Sequence, residues 1–237
     1  MPRQRSTTHF PSGVTNSRSK LLSQYPQLDP FKISAIEDDF VGFATGAWTV
    51  VETQAGATQA VTDGLGGRLL LTNSAADNDV NFIRSPGESF LLSKTKKAWF
   101  RAKFQISNAT DAEFYAGFAV ASAANPFTGA LPDPGIGFHL ADGAAAVQFH
   151  MDDGGTAYAK TSGIHTIVAA TDVELGFVFD PVRQEVVLYV NGSPVSTITD
   201  VGQYPDAQEV AAVISVKNGS ASARTMNIDY ILAACER

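Results

Sequence analysis

The sequence predicts an all-β domain, a sandwich or a barrel, preceded by an extended N-terminal arm. From residue 37 onward, short runs of β-branched, aromatic and alternating residues are separated by clusters of Gly, Asn, Asp and Pro. In the stretch VELGFVFDPVRQEVVLYVNGSPV, residues 173–195, apolar side chains fall at every second position: Val173, Leu175, Phe177 and Phe179, then Val186, Leu188 and Val190. That is the period of a half-buried strand. Two turn signals punctuate the same stretch. Proline fixes φ in Asp180-Pro181, where the acid can accept from the backbone ahead, and Asn191-Gly192 supplies the positive-φ pair of a tight hairpin.

Residues 1–36 form the arm. Pro2, Pro11, Pro26 and Pro30 break any long helix, and the apolar residues keep no steady period. A purely solvating tail would lack aromatics and leucine pairs, so Phe10, Leu21, Leu22, Tyr25 and Phe31 are read as anchors that order on a neighbouring subunit. The strand runs then follow at 39–43, 48–52, 59–62, 68–73, 78–84, 89–92, 98–106, 113–121, 137–140, 146–151, 157–161, 166–168, 174–180, 185–191, 194–198, 210–216 and 224–232. Nothing between them resembles a domain linker, which gives one β domain over residues 37–237. In run 98–106 parity assigns the faces: Ala98, Phe100, Ala102, Phe104 and Ile106 inward, Trp99, Arg101, Lys103 and Gln105 outward. In run 113–121, Tyr115, Gly117 and Ala119 share a face small enough for close backbone approach, so both faces are expected to be covered. The irregular stretch 122–135, with Pro126, Pro132 and Pro134, is long for a compact domain and is read as a contact loop presenting Phe127 and Leu131.

A chain of 237 residues can bury a full core without covalent staples. The single Cys235 makes no intramolecular disulfide, and the four histidines show no zinc-ligand spacing. The first residues lack the apolar run of a signal peptide, and no stretch approaches a membrane span, so a soluble protein made in a cytoplasm is expected. The sequons at Asn108, Asn191 and Asn218 are expected to stay unused. The net charge of −7 is split: Arg3, Arg5, Arg18 and Lys20 give residues 1–28 a charge of +4, leaving −11 for the rest. A body of that sign is not expected to track nucleic acid.

The segment FVFDPVRQEVVLYVNGSPV, a strand ending in Asp, a turn, and a strand closing on Tyr-Val-Asn-Gly, resembles the concanavalin A-like, or laminin G-like, jelly roll. A broader set of residues is similar to jelly-roll structural proteins from the virion gene clusters of tailed, podovirus-like phages. It comprises Asp38-Asp39-Phe40 with Trp48, Gly66-Gly67, AADND at 75–79, GESF at 87–90, AWFRAKF, and the closing NIDYILAACER. That resemblance implies a non-enzymatic capsid decoration or head-surface protein, made in the host bacterial cytoplasm and carried in the virion. Its partners would be the major capsid protein or other virion subunits, with room for self-association. The contact residues expected on this reading are Arg3, Arg5, Phe10, Arg18, Leu21, Leu22, Tyr25, Phe31, Phe127 and Leu131.

Catalysis finds little support. Glycosidases need two carboxylates roughly 5–10 Å apart across the scissile bond, and the Glu-x-Asp-x-Glu spacing of laminarinase-like members is absent. A nucleophile elbow, Walker loop and dinucleotide fingerprint are also missing, and no cofactor is called for. Asp77-Asn78-Asp79 and Asp152-Asp153 are acid-rich turns with the oxygen ligands calcium takes, but such turns form for backbone reasons alone, so no metal is expected. His139, His150 and His165 are expected to be hydrogen-bonded rather than ligating. The alternative function is glycan binding, for which Trp99, Tyr158 or Tyr115 could serve as the aromatic platform if solvent-facing, with Trp99 and Tyr158 the candidates taken forward.

Overall fold

The computed structural model describes residues 31–44, 46–63, 66–120, 131–144, 146–155 and 159–237. Its strands, in chain order, are β1 (Ile33–Asp38), β2 (Thr49–Glu52), β3 (Thr58–Thr62), β4 (Arg68–Thr72), β5 (Val80–Arg84), β6 (Phe90–Leu92), β7 (Ala98–Ile106) and β8 (Ala112–Ala119), then β9 (Gly135–Leu140), β10 (Ala146–Asp152), β11 (Ala159–Thr166), β12 (Val173–Asp180), β13 (Glu185–Val190), β14 (Ser193–Ile198), β15 (Gln208–Asn218) and β16 (Thr225–Glu236). They build two antiparallel sheets. The first runs β14-β13-β12-β7-β16-β4-β3, with β1 also on β16; the second runs β11-β10-β9-β8-β15-β5-β2, with β6 also on β15.

The period-2 pattern sets the faces. Along β7 burial alternates without a break, and Ala98, Phe100, Ala102, Phe104 and Ile106 are buried while the residues between them are half-exposed. The inner faces meet in one core where aromatic edges interlock: Phe104 meets Phe114 at 5.0 Å, Phe90 meets Phe118 at 5.1 Å, and Phe100 stacks on Phe177 at 5.8 Å. Such pairs add to the area that they bury. Cys235 lies in this core as a free thiol.

Both turns of the 173–195 stretch take the expected form. Asp180 Oδ1 accepts the N–H groups of Val182 at 2.9 Å and Arg183 at 3.3 Å. Asn191 and Gly192, at φ 49° and 76°, join β13 to β14 with Val190 opposite Ser193.

Two expectations change. Residues 39–43 form no strand; the strand lies earlier, as β1, and takes up Ile33–Ile36 from the segment read as arm. Asp38 ends it, since its Oδ1 accepts from Phe40 N–H at 2.9 Å and its Oδ2 from Trp48 Nε1–H at 2.7 Å. Phe40, at φ 49°, is thereby turned into the core. The separate runs 157–161 and 166–168 are replaced by one strand, β11, which is paired with β10 across a register shift between Val147 and Phe149. Residues 1–30, including the other arm anchors, and Phe127 and Tyr158 lie outside the described residues.

Candidate functional site

The two outward faces differ in kind. On the second sheet, register places Arg84, Val213, Gly117, Gly137 and His150 in one row, and Phe82, Ser215, Tyr115, His139 and Gln148 in the next. Gly117 and Gly137 stand directly opposite each other. A Cβ on Gly137 would lie 2.6 Å from the Ala116 carbonyl oxygen and 2.8 Å from Gly117 Cα, so the close approach read from the small residues is real. The Tyr115 ring lies over this glycine floor, with its hydroxyl donating to the Phe118 carbonyl at 2.8 Å.

The chain itself roofs one end of this face. Leu131 packs on a satellite apolar cluster of Val80, Phe82, Tyr115, Ala119, Ala211 and Val213. It is half-buried against its own sheet, because Tyr115 and the small residues around it offer it an apolar seat. His150 and Asp152 are buried beneath the roof. Burial, with the nearby charges of His139 and Lys160, lowers the imidazole pKa of His150 to about 4. Burial, with Asp133 and Asp153 close by, raises Asp152 to about 6 even though the Gly154 N–H donates to it.

At the other end Glu113 is held between His139 Nε2 at 2.8 Å and Lys217 Nζ at 2.9 Å. Burial pushes its pKa up, but the hydrogen bonds from His139 and Lys217 outweigh this and keep the carboxyl below its ordinary value. Register puts Glu113 and Asp152 at opposite ends of the face, six residues apart along β8, which is about 20 Å. That is too far for a glycosidase pair.

The acid-rich turns have structural work. Asp79 is fully buried and accepts from Thr53 Oγ1 at 2.9 Å and Ser74 N–H at 2.7 Å, while Asp152 and Asp153 accept the N–H groups of Gly154 and Gly155. Among the described residues no three His, Cys, Asp or Glu converge as a metal would require.

The outer face of the first sheet is more open. Its first row runs Val187, Val178, Trp99, Ala234, Ala35; the next runs Tyr189, Gly176, Arg101, Leu232, Glu37; and a third sets Glu174, Lys103 and Tyr230 side by side. Trp99 is half-exposed at the centre of the apolar row, as parity predicted. Beside it a polar lattice is fixed. Arg101 donates to Glu174 at 2.6 Å and lies over the Tyr230 ring at 5.7 Å, and the Tyr230 hydroxyl donates to the same carboxylate. Lys103 reaches Asp229 at 2.7 Å, and Arg68 grips Asp172 through two bonds of 2.8 and 2.6 Å. That grip holds the Asp172 pKa low and raises that of Arg68. Sequence reading singled out Trp99 but missed Tyr230, Glu174 and Asp229, which only the register of β7 with β12 and β16 brings together. Of the other platform candidates, Tyr158 lies outside the described residues and Tyr115 is fully buried on the second sheet, where its hydroxyl is taken by the Phe118 carbonyl.

No family model matches the chain, nor does any curated protein. Solved structures do. An endo-1,3-beta-glucanase from Streptomyces sioyaensis superposes with TM-score 0.61 at 15% identity, covering 86% of this chain and 96% of that one. The carbohydrate recognition domain of Emp47p gives 0.59 at 12%, covering 87% and 97%, and peanut lectin gives 0.56 at 14%, covering 86% and 97%. Lectins and glycoside hydrolases thus share this architecture. The chain has the concanavalin A-like fold, an all-β sandwich of two antiparallel sheets.

Proposed function

We propose that this chain is a non-catalytic glycan-binding module that takes its ligand on the outer face of the first sheet. The observation that carries the reading is Trp99, half-exposed in a row of small and apolar residues beside the fixed Arg101, Glu174 and Tyr230 lattice. An aromatic plane next to pre-oriented donors and acceptors is the combination a sugar ring calls for: apolar C–H faces stack, and hydroxyls bond at the edge. The likeness to lectins supports the same class. The three carboxylates of the lattice are each engaged by a cation, Glu174 by Arg101, Asp229 by Lys103 and Asp172 by Arg68, which speaks against their serving as the general acid that glycoside hydrolysis needs. A glycan array with the purified chain tests the reading. Binding that Trp99→Ala abolishes while the melting temperature holds is the expected result, and binding indifferent to Trp99→Ala contradicts it.

A second reading, a component anchored on a virion through its N-terminal segment, is favoured by the sequence resemblance and by Phe31, 88% exposed where that segment enters β1. Since β1 begins at Ile33, the deletion that tests it stops at residue 30. Normal occupancy of particles by the truncated chain would contradict anchoring.

A further inference from the structure

The basic residues of this acidic protein are unevenly placed. Thirteen Lys and Arg follow residue 30, and six of them, Lys32, Lys94, Lys96, Lys97, Arg183 and Arg237, lie in segments that meet at one end of the first sheet. Hydrogen bonds tie these segments together. Arg237 N–H donates to the Lys32 carbonyl at 2.8 Å, Glu236 N–H to the Lys97 carbonyl at 2.9 Å, and Gln184 Nε2 to the Lys94 carbonyl at 2.9 Å. Elsewhere in the described body the cations are mostly neutralised: Arg68, Arg101, Lys103, Lys217 and Arg224 each pair with a carboxylate.

At this end Arg183 alone of the six is within ion-pair distance of a carboxylate among the described residues, Glu185 at 3.5 Å. The other acids there are turned onto the loop backbone. Asp180 accepts from Val182 and Arg183, Glu236 from Lys97 N–H, and Asp206 from Lys94 N–H. Lys94 Nζ donates to the Gly202 carbonyl at 3.0 Å, Lys96 and Lys97 are half-exposed, and Lys32, Arg183 and Arg237 are exposed, the Arg183 side chain by 73%. This corner adjoins Trp99, whose ring has Lys97 Nζ 6.0 Å from its centroid. On the same face the Trp99 row is followed by Lys97, flanked by Asp180 and Glu236 whose carboxylates accept from loop N–H groups, and the other cations lie in the loops beyond.

We propose that the ligand of the Trp99 face is an anionic polysaccharide, with a sugar ring on Trp99 and its carboxylate or sulfate groups at Lys96, Lys97 and Arg183. The proposal rests on the glycan-binding reading and narrows it to acidic chains. Neutral sugars would use the aromatic plane and the polar lattice but leave the cationic corner unoccupied. An acidic polymer engages both at once, and its charge interactions are screened by salt.

The test is calorimetric titration of the full chain with polygalacturonate, heparin and neutral laminarin over a range of NaCl concentrations, with polyphosphate as an anion that carries no sugar. Polygalacturonate carries carboxylates alone and heparin both carboxylates and sulfates, so binding of heparin without polygalacturonate assigns the sulfate groups. The expected result is binding of at least one acidic polysaccharide that weakens by about tenfold or more between about 50 mM and about 300 mM NaCl. Lys97→Gln and Arg183→Gln should each weaken it by roughly threefold to tenfold at low salt. Trp99→Ala should remove it at every salt concentration, with circular dichroism showing each variant folded. Laminarin binding that is salt-insensitive and lost in Trp99→Ala would overturn the acidic ligand while leaving the glycan face standing. Polyphosphate bound as tightly as the acidic sugars and unaffected by Trp99→Ala would also overturn it, and binding of none of the four would remove both readings.

Discussion

His150 and Asp152 lie two residues apart on β10 under the same roof, and their protonation affects stability in opposite senses. His150 falls from 6.5 to about 4 on folding, so between those values the unfolded chain binds the extra proton and stability rises with pH. Asp152 rises from 3.8 to about 6, so in nearly the same window the native state holds the extra proton and stability falls with pH. The two slopes oppose each other in the intact protein. Asp152→Asn should leave the imidazole alone and give urea midpoints that climb as pH rises from about 4 to about 6.5, whereas His150→Gln should give midpoints that decline across about 4 to 6. Equal slopes in both variants would show that the buried environment has been misread. Trp99 and Phe100 make a second contrast, since neighbours in sequence face opposite ways. Phe100→Ala should cost about 3–5 kcal/mol by emptying the core, and Trp99→Ala much less, which keeps a binding defect separable from unfolding.

At the level of elements, strands whose period was strict were legible. β7, β12 and β13 lie within a residue of their expected bounds, and parity alone gave the exposed side of Trp99. β1 was missed because Ile33–Ile36 follow closely on Pro30, so they read as the end of an extended arm; their partner in β16 is some two hundred residues away. The roof over the second sheet was missed for a similar reason. Leu131 in a proline-rich loop looks exposed until the glycine floor and Tyr115 are seen to offer it an apolar seat. That floor makes its own prediction: Gly137→Ala should destabilise by about 1–3 kcal/mol in a urea titration, because the added Cβ meets backbone that cannot move aside. A midpoint equal to wild type would mean that β8 and β9 are not so closely apposed at the glycine pair.

For the whole molecule, the sequence announced two sheets and an acidic body but not how charge is distributed over it. The cationic corner is built from residues 32, 94–97, 183 and 237, which meet only once β1, β7, β12 and β16 have taken their register. Removal of the chain through Asp38 deletes β1 and the acceptor for Trp48 Nε1 and should lower the melting temperature by several degrees. The central claim, that a glycan rests on Trp99, has a direct optical test. The protein has two tryptophans, Trp48 and Trp99, and Trp48 is buried. A folded Trp48→Phe variant therefore reports on Trp99 alone. Titrated with polygalacturonate or heparin, its emission should shift to the blue and saturate at the affinity measured by calorimetry. Saturable binding of a polysaccharide that leaves this emission unchanged would place the ligand elsewhere on the molecule and contradict the account.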